Sequence, residues 1–230
     1  MFSTAKKILV VAAHPDDEML GCGGLLARLA AAEKQISILL LGEGPTARAS
    51  ETHEVQAAQT GALKSALAAA AVLGIRDVRF ANLPDNRFDG IPLLEVVKQV
   101  ETVADAVRPD FVLTHFAGDL NIDHQITHRA VMTAFRPLPG MHPTTILSFE
   151  VLSSTEYAPP GMGASFHPTV YIDITNFLEA KQKALAAYAS EMRPWPHPRS
   201  RETVEHLARL RGSQCGCQAA EGFVLYRGIF

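Results

Sequence analysis

The chain has 230 residues, 47% of them hydrophobic, with a net charge of −3 and a pI of about 6.3. This length is enough to bury one core and predicts a single domain over residues 1–230. The charge balance carries no footprint for nucleic acid or anionic lipid, and no apolar run approaches the ~20 residues of a membrane span, which excludes stable membrane insertion.

Met1 to Lys7 lead into the first apolar run without the apolar core and cleavage site of a signal peptide. Three cysteines, an odd number, argue against a disulfide framework. Both features predict a reducing cytoplasm. Cys215 and Cys217 stand one residue apart and read as incidental loop thiols.

Residues 7–13 are a short apolar run that predicts a buried parallel strand, followed by a helix over 16–32. A second strand is predicted at 36–41, then a Gly/Pro loop from Gly42 to Thr46 and a long alanine-rich helix over 51–73, closed by Gly74. A third strand (78–82) precedes the turn Leu83-Pro84-Asp85-Asn86, and a helix over 92–107 stops at Arg108-Pro109. A fourth strand (111–114) and a helix over 123–134 follow. This alternation predicts an α/β, Rossmann-like, doubly wound and mostly parallel sheet with helices on both faces. After about residue 140 the pattern changes: strands at 145–151 and 169–174, then helices over 178–192 and 201–211, are expected to add edge strands and to cap the pocket.

The segment His14-Pro15-Asp16-Asp17-Glu18 follows the first strand directly. Ligands in open α/β sheets bind at the carboxyl ends of strands, so a metal-ligand cluster there has a mechanical reason to exist. His14 and Asp17 can converge on one ion across the strand-to-helix turn, leaving Asp16 to face the substrate side. A second block, Thr114-His115-Phe116-Ala117-Gly118-Asp119-Leu120-Asn121-Ile122-Asp123-His124, follows the fourth strand. His14, Asp17 and His124 form a His/Asp/His set suited to zinc, although ligand type alone does not exclude Fe2+ or Mn2+. Asp16, Asp17 and Glu18 also fit a simpler reading as acids complementing a helix dipole. That reading does not explain the Asp-His pair after a second strand.

The two blocks, in this order, make the chain resemble the LmbE-like, PIG-L type family of zinc-dependent N-deacetylases, over residues 7 to about 200. The resemblance implies removal of an acetyl group from an N-acetylglucosamine-type amino sugar or its conjugate. It implies His14, Asp17 and His124 as zinc ligands, Asp16 as general base and then acid, and Asp123 as a residue that supports the ligands. Many relatives carry histidine where this chain has Asn121, which cannot carry positive charge. His197, stiffened by Pro196 and Pro198, is the candidate oxyanion stabiliser in its place, beside a plain loop histidine as the alternative. Arg48 resembles a substrate-contacting arginine of the family.

Asp85, Arg87 and Arg199 sit where they could hold sugar hydroxyls, a phosphate or a carboxylate, and equally well be solvated loop charges. His128, four residues after His124, reads as a pocket-wall residue, and His115 as one lining the mouth. Glu18 and Asp119 stay open between support of the site and local capping. An amidase acting on a larger acyl group of a glucosamine conjugate is the alternative within the class. A non-catalytic sugar- or nucleotide-binding Rossmann-like module is the rival outside it. Gly21-x-Gly23-Gly24 favours the rival only weakly, because it lacks the full G-x-G-x-x-G spacing. The oligomeric state, a homo-oligomer included, is left open.

Overall fold

A computed structural model describes residues 5–44, 52–161 and 163–228, with side chains in the second helix described from residue 56 onward. Strand β1 (Lys7–Ala12) leads to helix α1 (Asp17–Ala31), then β2 (Gln35–Gly42), α2 (Thr52–Val72), β3 (Asp77–Leu83), α3 (Leu93–Val107), β4 (Phe111–His115) and α4 (Ile122–Ala134). The remainder adds β5 (Thr145–Phe149), β6 (Val170–Asp173), α5 (Leu178–Leu185), α6 (Arg201–Ser213) and β7 (Ala220–Arg227). The seven strands form one sheet in the order β3-β2-β1-β4-β5-β7-β6. Strands β1 to β5 run parallel, and β7 pairs antiparallel with both β5 and β6.

Strand β1 shows why the sheet is buried on both faces. Ile8, Val10 and Ala12 join a core with α1, α2 and α5, while Leu9, Val11 and Ala13 join a second core with α3 and α4. A side-chain period of two divides an unbroken apolar run between the two layers. The helices of the parallel part match the sequence reading to within a residue or two.

Two differences lie in the C-terminal portion. The helix expected to reach residue 192 ends at Leu185, with a 3₁₀ turn at Ala186–Tyr188. Strand β7 was not expected at all. It opens on Ala220-Glu221-Gly222, residues of low strand propensity, and Glu221 points inward to a buried partner. The late strands extend the sheet edge. The cleft over the sheet's carboxyl end is walled by the segments after β5 and between α5 and α6.

The glycines of α1 have a packing role. A Cβ at Gly21 would lie 2.2 Å from the Phe149 ring, and one at Gly24 would lie 2.7 Å from Ile174. Both facing side chains are fully buried. Gly21→Ala is therefore expected to destabilise the protein by about 1–3 kcal/mol through overpacking. The check is a lower urea midpoint with an unchanged slope; an unaltered midpoint would mean that Phe149 can move aside.

Candidate active site

Growth of the sheet reverses between β1 and β4, so the loops leaving these two neighbours diverge and open a crevice. His14, Asp16 and Asp17 come from the first loop and the start of α1, and Asp119, Asp123 and His124 come from the β4–α4 connection and the start of α4. Asp16 has a positive φ of 112°. A non-glycine residue held there stores on the order of 1–3 kcal/mol. The turn sends neighbouring acids different ways: Asp16 reaches Arg199 across the cleft, while Asp17 reaches the imidazoles below.

The inner atoms form a nearly equilateral triangle. His14 Nδ1 lies 3.3 Å from Asp17 Oδ2, Asp17 Oδ2 lies 3.2 Å from His124 Nε2, and the two imidazole nitrogens are 3.3 Å apart. A metal bound to nitrogen and oxygen at about 2.0–2.1 Å in tetrahedral geometry needs ligand separations of about 3.3–3.4 Å. The donor set therefore fits a single ion and leaves a fourth position for a water or substrate oxygen. Among the described residues, His14, Asp85 and Asp123 make a second group of three close donors. That group offers a single imidazole nitrogen between two carboxylates, with His14 Nε2 3.0 Å from Asp123 Oδ2.

Each outer imidazole nitrogen meets a carboxylate. His14 Nε2 is 3.0 Å from Asp123 Oδ2, and His124 Nδ1 is 3.1 Å from Asp119 Oδ1. Asp119 is itself held by the hydroxyls of Ser154 and Thr155 and by the Asn121 amide. Carboxylates in this position fix ring tautomer and direction, aiming the inner nitrogens at one point.

The electrostatics favour a cation. Burial opposes a charged imidazole, yet Asp123 and Asp17 push His14 up to about 10, and Asp17 and Asp119 push His124 up to about 9. Burial would raise Asp17, but the imidazoles of His124 and His115 hold its carboxyl well below the ordinary range. Asp16 goes the other way. Burial drives it well above the ordinary carboxylate range against the pull of Arg199, and Asp17 and Glu18 add repulsion. Two adjacent acids thus have opposite proton affinities, a pattern suited to one ligand and one proton carrier.

Several residues take places that the sequence did not assign. Arg199 pairs with Asp16 Oδ2 at 2.9 Å and with Glu191 at 3.3 Å, and its Nε donates to Ser153 Oγ at 2.8 Å. Its guanidinium is engaged within the protein beside Asp16. Asn121 is the N-cap of α4, accepting from the Asp123 amide at 2.8 Å, while its side-chain amide donates to Asn86 at 3.1 Å. Asp85 lies 3.4 Å from His14 Nε2. His197 is exposed in the cleft, with Nδ1 accepting from the Arg199 amide at 3.0 Å.

Arg87 is exposed and does not line the cleft. His128 is also absent from the cleft wall: it is buried under Tyr226 with Nδ1 against the His115 carbonyl. Arg48 lies outside the described residues. His115 corrects the expectation of a mouth residue. It is fully buried beneath the site, stacked on His124 with ring centroids 3.9 Å apart, and accepts the Ala13 amide at 2.8 Å. Glu18 accepts from Tyr188 Oη at 2.6 Å and from the Asp16 amide at 3.1 Å, and burial pushes it up to about 7. It braces the turn.

The cleft above these groups has a volume of about 550 Å³ and is mostly polar, with Asn86, Asn121, Ser154, Tyr157 and Arg193 among its walls. The sequence reading missed Ser154, Glu191 and Tyr157, which are single polar residues in irregular segments.

The model of the family PIG-L: GlcNAc-PI de-N-acetylase matches residues 9–135, more than half of the chain. A 1D-myo-inositol 2-acetamido-2-deoxy-alpha-D-glucopyranoside deacetylase of Mycobacteroides abscessus is 30% identical over 230 aligned residues, covering 82% of each chain. Two solved structures superpose on 97% of this chain. They are the N,N'-diacetylchitobiose deacetylase of Pyrococcus horikoshii (TM-score 0.79, 22% identity, 85% of its length) and the 4-carboxy-2-hydroxymuconate hydratase of Pseudomonas putida (TM-score 0.77, 22% identity, 98% of its length). These two likenesses establish the fold alone, which carries a deacetylase in one case and a hydratase in the other. The matched family segment begins inside β1 and runs through α4, taking in both motifs of the site: this chain belongs to the PIG-L, GlcNAc-PI de-N-acetylase family.

Proposed function

We propose that this protein is a zinc-dependent N-deacetylase that hydrolyses the N-acetyl group of an N-acetylglucosamine-type amino sugar or its conjugate, releasing acetate and a free amine. The observation that carries this reading is the His14–Asp17–His124 triangle with Asp16 beside it at the floor of an open polar cleft. Family membership and a relative that deacetylates a glucosamine conjugate support it. Free cysteines agree with a reducing, cytoplasmic setting. Among the described residues no helix is long and apolar enough to cross a membrane.

His14, Asp17 and His124 would hold the zinc ion, which supplies water activation and carbonyl polarisation when bound. Asp123 and Asp119 hold the two imidazoles in register. Asp16 takes the proton of the attacking water and passes it to the departing amine, a task that its raised proton affinity suits. Arg199 keeps the Asp16 carboxylate pointed into the cleft. Asn86, Asn121, Tyr157 and Asp85 offer donors and acceptors for sugar hydroxyls. His197, whose Nδ1 is an acceptor and whose Nε2 therefore carries the proton, donates to the developing oxyanion.

Acetate release should be measured over N-acetylhexosamines, their nucleotide-linked forms and glycolipid head groups. Turnover of at least one class is expected, and none across the whole panel would contradict the reading. His197→Ala is expected to lower kcat by about 10²–10³-fold with little change in KM. Asn121→Ala should lower stability by about 1 kcal/mol through loss of the cap and should cost less in kcat. Steady-state kinetics on both variants decide the order, and a normal kcat for His197→Ala would make it a plain loop residue.

A further inference from the structure

Helix α1 is not one continuous helix: at Cys22 the backbone leaves the helical region, with φ −144° and ψ 18°. An unbroken helix would bond the Gly24 amide to the Leu20 carbonyl and the Leu25 amide to the Gly21 carbonyl. Here the Gly24 and Leu25 amides donate to the two carboxylate oxygens of Glu221, at 2.8 and 2.7 Å. The Leu20 carbonyl accepts from Lys181 Nζ at 2.7 Å, and Lys181 is 2.7 Å from Glu221 Oε1. A lysine from α5 and a glutamate from β7 are thus inserted into the hydrogen-bond ladder of α1. Both are buried, 4% and 5% exposed.

The break separates a first segment bearing Asp17 and Glu18 from a second that packs along the sheet. Each segment is fixed close to the break, Gly21 against Phe149 and Gly24 against Ile174. Burying an ion pair is a poor route to stability, since apolar side chains of similar size serve as well or better. What the pair does impose is the direction of the first turn of α1, and Asp17 Oδ2 in that turn is one corner of the triangle.

We propose that Lys181 and Glu221 are positioning residues for the metal site: they hold α1 broken so that Asp17 meets His14 and His124. The proposal rests on the reading of those three residues as ligands. Its test is the double variant Lys181→Met/Glu221→Leu, which removes both charges together and leaves neither stranded. With the ladder free to close, zinc affinity by chelator competition is expected to fall by about tenfold. Near-ultraviolet circular dichroism and the thermal midpoint report that the variant is folded. A pair that only stabilises the fold would shift the midpoint and leave the zinc affinity of the folded protein unmoved. That outcome overturns the proposal. Glu221→Gln provides a second test should the double variant not fold: it keeps the shape but loses one amide acceptor, so weaker zinc binding is expected and wild-type affinity contradicts the proposal. Wild-type protein that takes up no zinc would instead overturn the ligand assignment, so the two failures are distinct.

Discussion

Alanine at His14, Asp17 or His124 is expected to strip the protein of zinc and to abolish deacetylation while leaving the sheet folded. Each residue supplies one corner of the same triangle, and removing any corner leaves two ligands where at least three are needed for a tight site. The metal-free site has a further signature. His14 is raised to about 10 and His124 to about 9, so both rings are protonated at neutral pH and zinc must displace their protons. Zinc affinity should therefore rise as pH increases toward about 10, and uptake at pH 7 should release protons, seen as a buffer-dependent heat in calorimetry. The sign for stability is opposite. In the metal-free protein these raised values contribute stability that is fully present below the ordinary histidine value of 6.5 and is lost as pH rises through 9 and 10. Elemental analysis after dialysis checks the main expectation. Full zinc retention by any one variant removes that residue from the ligand set.

Asp16→Asn is the second large effect, and it separates proton transfer from metal binding. The amide has nearly the volume of the carboxylate and can still meet Arg199, but it cannot take a proton from water. A fall in kcat of about 10²-fold or more is expected. Zinc content should remain at the wild-type level, because Asp16 turns away from the triangle toward Arg199, 2.9 Å away. Retained activity would deny Asp16 its role as base. Lost zinc would mean that the roles of Asp16 and Asp17 are exchanged.

The parallel part of the fold was legible because β1, β2 and β4 are short apolar runs and the helices between strands have clear stops, such as Gly74 after α2 and Arg108-Pro109 after α3. Strand β7 was not, because its inward residue Glu221 answers to amides on α1 some two hundred positions away. The triangle was legible because both of its blocks stand at strand ends, where chemistry collects in such sheets. The second layer of the site was harder to read. Asp119 reads equally well as a turn residue and as a support of the site, and only the fold brings it to His124. His115 sits at the very end of β4, where a polar residue suggests a surface, but α4 folds back over it and buries it. Arg199 and Asp16 are far apart in sequence and meet only because the segment between α5 and α6 crosses the cleft.

The most direct test of the central claim is zinc reconstitution of chelator-stripped protein on an N-acetylglucosamine-type substrate, with acetate and free amine both measured. Negligible release by stripped protein is expected, then equimolar acetate and amine once one equivalent of zinc is restored, and almost none from zinc-loaded Asp16→Asn. Release that does not depend on added metal, or undiminished release by the Asp16→Asn protein, would contradict the account.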